Sequence, residues 1–165
     1  MKKPSLFAHL RDVLLLPFVV TVIVPYLVYD PEQRLIPDHM LLKCAGIIAL
    51  LAGLTLLVTT VLLFARIGKG TLAPWQPTQK LVISGPYRHC RNPMISGVLL
   101  ILISETLLLH STNLLITSVL FFVINTLYFI YSEEPGLEER FGEDYRRYKR
   151  QVPRWVPKMS PYKED

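Results

Sequence analysis

Two polar segments of this chain carry residue types able to do chemistry. The first, Ser84-Gly85-Pro86-Tyr87-Arg88-His89-Cys90-Arg91-Asn92-Pro93, stands directly before an apolar run. The second, Glu133-Glu134 through Tyr148, follows the next apolar hairpin. Arginine is a planar donor fork suited to carboxylate or phosphate, so Arg88 and Arg91, beside a glycine turn at a helix start, form a candidate anion site. Both also fit a plainer role, touching lipid phosphates at a membrane surface. Glu133 and Glu134 can hold a cationic or polyhydroxylated ligand, or salt-bridge to the Arg88/Arg91 loop, and the two roles are compatible. Tyr87, Tyr145 and Tyr148 can stack on a flat ring, donate hydrogen bonds or anchor at an interface.

The elements that must position these residues are apolar helices. The chain has 165 residues, 51% of them hydrophobic, with a mean hydropathy of +0.35, too apolar for an ordinary soluble domain. Four runs qualify as membrane spans: Val13 to Tyr29, Leu41 to Ala65, Met94 to Leu109 and Asn113 to Tyr131. At ~1.5 Å per residue the third reaches only roughly 24 Å, short of the ~30 Å hydrocarbon core. His110-Ser111-Thr112 is a tight link, so the third and fourth runs should form a helical hairpin. The expectation is an all-α integral membrane protein in a single domain, 1–165. About four transmembrane helices should carry a loop and a C-terminal helical segment that meet at one surface.

Loop charges orient these spans. Alternation puts the N-terminus, the 66–93 loop and the C-terminal tail on one side, holding 3, 5 and 8 Lys+Arg residues. The other side holds only Arg34 and Lys43. Sixteen against two is a positive-inside signal with both termini cytoplasmic. The formal net charge of +5 is then mostly topology, and nothing suggests nucleic-acid binding. The first run ends in Tyr-Asp-Pro-Glu-Gln rather than a small-residue cleavage site, so it reads as a retained anchor. Cys44 and Cys90 make no disulfide framework, and the scattered histidines His9, His39, His89 and His110 show no metal-ligand spacing. Glu105, a carboxylate inside a span, is costly there. It is expected to make a structural contact with Arg34, Lys43 or His110.

Within the cytoplasmic segments, 66–77 holds two glycines and two prolines and should be a loop, with Trp75 at headgroup level. Residues 80–83 suggest a short extended piece closed by a Ser84-Gly85-Pro86 turn. Pro93 suits the first turn of the third helix, with Asn92 as its cap. In the tail, Leu137, Phe141, Tyr145 and Tyr148 recur at spacings of four, four and three, the pattern of one helix face.

At these residues the chain resembles a known family. Leu81-Val82-Ile83-Ser84-Gly85-Pro86-Tyr87-Arg88-x-x-Arg91-Asn92-Pro93-x-x-x-Gly97, a hairpin, and then Glu133-Glu134-x-x-Leu137-x-x-x-Phe141-Gly142-x-x-Tyr145-x-x-Tyr148-x-x-x-Val152-Pro153 is similar to the isoprenylcysteine carboxyl methyltransferases. That family sits in a wider group with the membrane phospholipid methyltransferases. The likeness covers roughly residues 66–158. It implies an integral-membrane enzyme that uses S-adenosylmethionine on a lipophilic small molecule or lipid acceptor reached from the bilayer, without metal or nucleic acid. The membrane would be the inner one in a bacterium and the endoplasmic reticulum in a eukaryote. For the cofactor pocket it implies Gly85, Pro86, Tyr87, Arg88, Arg91, Asn92, Pro93, Gly97, Glu133, Glu134, Tyr145 and Tyr148, and for catalysis Glu133, Glu134 and Arg150. Asn92 stands where the family commonly has histidine, and Ile95 where it often has tyrosine. Gln79 also replaces a histidine, and Gln151 an arginine, leaving Arg150 one position earlier. The soluble alternative needs a GxGxxG turn after a strand, which is absent. A non-catalytic membrane protein that keeps the pocket for ligand sensing or partner docking is the alternative from another class.

Overall fold

The computed structural model describes residues 15–34, 37–67 and 81–163. Trp75, Gln79, Lys80, His9 and most of the 66–77 loop lie outside the described residues. Every regular element among those described is helical. We number them α1, Leu15–Val28; α2, Met40–Ile67; α3, Pro93–Leu109; α4, Thr112–Tyr128; and α5, Glu134–Gln151, with a 3-10 turn at Gly85–Arg88. α4 passes into α5 through a π-helical turn, Phe129–Glu133, and α1 carries a similar turn at Val19–Ile23.

Two helices are long and apolar enough to cross a membrane: Met40–Leu63, and Thr112–Gln151, whose second half is the polar α5. α1 and α3 are apolar but shorter, so two of the four expected spans have the length and composition to cross. The outward faces of α2 and α4 stay greasy. Ile48, Leu51, Val58, Ile116, Leu120 and Ile124 are all exposed, which suits contact with lipid rather than water.

α3 is the buried helix, and it packs chiefly on α2. Glycine permits that contact. A Cβ on Gly53 would lie 2.8 Å from the Gly97 carbonyl oxygen, and one on Gly97 would lie 3.0 Å from that of Gly53. The two backbones therefore touch, the arrangement small residues allow in membrane helix pairs. α3 and α4 form the expected hairpin. His110 closes α3 in the left-handed region at φ 54°, and Ser111 caps α4 by accepting from Leu114 N–H at 3.5 Å. The Thr106 and Ser118 hydroxyls, 3.3 Å apart, bridge the two helices.

α5 is broken at Gly142, whose φ of 54° and ψ of −127° no helix accommodates. The face predicted from the tail's spacing nevertheless assembles: Tyr145, Tyr148 and Val152 form a core with Tyr162, and Leu81, Ile83, Leu137 and Phe141 pack against it. Residues 81–84 are irregular rather than a strand.

Candidate functional site

The 3-10 turn fixes the loop before α3. Gly85 adopts φ 55°, and a Cβ there would lie 2.9 Å from Leu63 Cδ1, so glycine is required for both conformation and space. The Pro86 carbonyl accepts from His89 N–H and Cys90 N–H, both at 3.0 Å. Pro93, fully buried, opens α3 at its first turn. Asn92 occupies the capping position, but its side chain caps nothing; its carbonyl instead starts the helical ladder to Ser96 N–H at 2.9 Å.

The C-terminal tail then straps this loop. Arg91 N–H donates to Pro153 O at 2.9 Å, Lys158 N–H to His89 O at 3.0 Å, and Tyr162 N–H to Arg88 O at 2.8 Å. The Tyr148 hydroxyl donates to Tyr87 O at 2.6 Å, and the Cys90 thiol donates to Arg154 O and Trp155 O. Burial raises the Tyr87, Cys90 and Tyr148 titrations, so all three side chains keep their protons near neutrality, and the Tyr148 hydroxyl and Cys90 thiol are free to donate these bonds.

At the junction lies a buried ion cluster. Glu134, first residue of α5, is 4% exposed. Its Oε1 accepts from Arg154 Nε at 2.7 Å and lies 2.9 Å from Arg91 Nη1, while Oε2 lies 3.2 Å from Lys149 Nζ. Burial pushes the Glu134 carboxyl up, but the Arg154, Arg91 and Lys149 charges outweigh it and hold it below the usual range. Lys149 reaches on to Glu138 at 2.7 Å. Glu133 next door has the opposite environment: burial and the Glu134 charge both raise its carboxyl.

Arg91 is only partly served by this arrangement. Its Nη1 approaches Glu134 off the hydrogen-bonding direction, so the contact is one of charge, and its buried Nε and Nη1 N–H groups have no acceptor. The guanidinium also bears on the Tyr145 hydroxyl, whose titration burial and Glu134 raise and Arg91 tempers. Two buried guanidinium nitrogens without a hydrogen-bond acceptor are costly, and a ligand carboxylate matches them in charge and geometry.

The structure thus brings Arg91, Glu134, Tyr145, Tyr148, Tyr87 and Pro86 into one neighbourhood, with Glu133 beside it. Other candidates fall elsewhere. Arg88, offered as an anion ligand, spends its guanidinium on the Tyr162 carbonyl at 2.7 and 3.2 Å and lines an open groove of about 410 Å³ with Ile83, Ser84, Gly85 and Tyr162. Gly97 serves the α2/α3 contact. Arg150 is mostly exposed and pairs with Glu143 at 2.7 Å, turned away from Glu134 by its place on α5. Glu105 makes no contact with Arg34, Lys43 or His110; Asp38 takes the last two, and Glu105 Oε2 is buried without a partner among the described residues. Sequence reasoning missed Lys149, Arg154 and Trp155. The first two stood out only as basic tail residues, and Glu134's demand for several counter-charges was the signal that could have found them.

The model of the phospholipid methyltransferase family matches residues 42–144, from the start of α2 to just past the break in α5. The chain belongs to this family. The match contains Arg91 and Glu134 and stops before Lys149, Arg154 and the tail strap. A protein from Haemophilus influenzae described as an uncharacterized protein is 38% identical over 63 residues, which cover 38% of this chain and all of that one. No solved structure matches. Membership in this family, with its long apolar helices, makes the chain a membrane methyltransferase.

Proposed function

We propose that the protein transfers a methyl group from S-adenosylmethionine to a lipophilic acceptor at the cytoplasmic face of a membrane. The observation that carries this is the Arg91–Glu134 centre: a buried ion pair in the family's matched region whose arginine keeps two N–H donors without acceptors. Those donors fit the cofactor's carboxylate. Tyr145, which Arg91 approaches and whose ring lies 6.1 Å from that of Tyr148, supports an aromatic wall beside it. When bound, the cofactor supplies an electrophilic methyl on a sulfonium.

The residues around it position and shield more than they exchange protons. Glu134, ionised and held by three cations, is a weak base, and its role is to fix Arg91. Glu133, whose carboxyl is raised, is the candidate to accept a proton if the acceptor is an amine or hydroxyl. An acceptor that arrives already anionic requires no base. Arg150 has no role in this reading. The charge excess of both chain ends supports a cytoplasmic side for them.

Titration calorimetry of the detergent-purified protein with S-adenosylmethionine and S-adenosylhomocysteine tests the reading. Arg91→Lys keeps a charge for Glu134 while removing the donor fork. We expect saturable binding by the parent protein and at least about tenfold weaker binding by the variant, the value of one or two lost charge-assisted hydrogen bonds. No binding by a folded parent protein would overturn it.

A further inference from the structure

Trp155 stands apart from the other interfacial aromatics. Its ring lies 4.9 Å from that of Phe122 and 5.6 Å from that of Phe129, tilted at 45° and 49°. These two phenylalanines sit seven residues apart on one side of the α4 run, so the indole bridges two turns of that helix. Phe129 is 3% exposed, whereas Phe122 is 38% exposed on the apolar outer side of α4. Along the backbone Trp155 adjoins the ion cluster: the preceding residue, Arg154, donates to Glu134, and Trp155's own carbonyl accepts from Cys90. Trp155 therefore joins the outer helix, through its ring, to the segment that carries the charged centre, through its backbone.

Its indole Nε1–H is shut off from solvent and has no acceptor. A tryptophan serving only as an interfacial anchor points that N–H at water or headgroups; this one keeps it buried. The unpartnered groups here, Arg91 Nε and Nη1 and Trp155 Nε1, are all donors, since both Glu134 oxygens are engaged. If Arg91 takes the methyl donor, Trp155 is left for the second substrate.

We infer that Trp155 is the acceptor-positioning residue: an amphiphile entering from the bilayer packs its apolar body against Phe122 and Phe129, and an oxygen of its head accepts from Trp155 Nε1. The inference rests on the methyltransferase reading above and assigns its second subsite. It commits to a head that accepts hydrogen bonds and disfavours an ammonium head, which has donors only.

Fluorescence tests this without turnover. Trp155 and Trp75 are the two tryptophans, so Trp75→Phe leaves Trp155 as sole emitter in the full-length protein. Quenching by 9,10-dibromostearate, whose head only accepts, is compared with quenching by 9,10-dibromostearylamine of equal chain length. We expect saturable quenching by the carboxylate, relieved by unbrominated stearate and about tenfold tighter than for the amine, with Phe122→Ala weakening it. Equal, non-saturating quenching by both heads would mean adventitious lipid contact and overturn the inference. So would a change in Trp155 emission on adding S-adenosylhomocysteine alone, which would assign the indole to the methyl donor. Calorimetric binding of S-adenosylhomocysteine separates the two readings: if it persists while the quenching is non-specific, the acceptor subsite alone fails.

Discussion

The two ends of the helical bundle carry charges in opposite ways. At the end where the tail folds back, Glu134 is 5% exposed in its side chain and faces three cations, Arg91, Lys149 and Arg154. At the other end Asp38, 65% exposed, meets Lys43 at 2.7 Å and His110 at 3.5 Å. Contacts of similar length thus differ greatly in surroundings. A buried carboxylate stripped of water must be compensated in full or not ionise at all, whereas an exposed one leans on solvent and gains little from its partners. The first end is therefore organised around a charge, and the second merely decorated by one.

Glu134→Gln breaks this contrast most sharply. It keeps the side chain's size and leaves the nearly buried Arg91 and the partly buried Arg154 without that counter-charge. We expect a loss of about 3–5 kcal/mol, seen as a large drop in the melting temperature of the detergent-solubilised protein. Linkage adds a pH signature. A carboxyl whose folded pKa is lowered contributes stability above its unfolded value, about 4.3, and loses it as pH falls through the folded value. The gap between parent and Gln variant should accordingly be full at pH 6–7 and shrink below about pH 4. A gap independent of pH would mean that Glu134 acts through packing rather than charge.

That pairing was half legible in the sequence. Two arginines before one helix and two glutamates after the next must approach each other if the helices form a hairpin, and opposite charges at the exit of an apolar pair seldom stay apart. Which arginine faces inward could not be read. Arg88 and Arg91 differ by one 3-10 turn, and the choice is made by carbonyls of a tail some 60 to 74 residues away. Arg154 was hidden for a related reason: it reaches Glu134 only because Gly142, in a conformation closed to other residues, breaks α5 and turns the tail back. The periodic parts, by contrast, were plain. Leu137, Phe141, Tyr145 and Tyr148 repeat at helical spacing, and burial follows from repetition. Gly97 drew notice because a glycine near a motif looks like a ligand cradle, and nothing in the sequence signalled its close packing on another helix, at Gly53.

That glycine contact yields the middle-sized effect. A methyl on Gly97 would lie 3.0 Å from Gly53 O and 3.1 Å from Leu57 N, both backbone atoms that cannot swing aside. A methyl on Gly136, near the start of α5, would meet nothing within 4 Å. Gly97→Ala should cost about 1–3 kcal/mol by forcing α2 and α3 apart. Gly136→Ala should be neutral or stabilise by up to about 1 kcal/mol through helix propensity. Thermal melts of the two variants side by side check this, and equal effects would remove the claim that the α2/α3 backbones touch.

The smallest effect belongs to the far end. Asp38→Asn removes the partner of Lys43 and His110, yet every group it strands except His110 is bathed in solvent. Lys43 and Asp38 are held below the surface by nothing, and the pair is open to screening by salt. The expected change in melting temperature is within about one degree, and raising the ionic strength should narrow it further. A fall approaching that of Glu134→Gln would show that the Asp38–His110 contact clamps the 30–40 connection onto the α3/α4 turn. The exposed pair would then be as much an organising element as the buried one, and burial would cease to be what distinguishes the two ends.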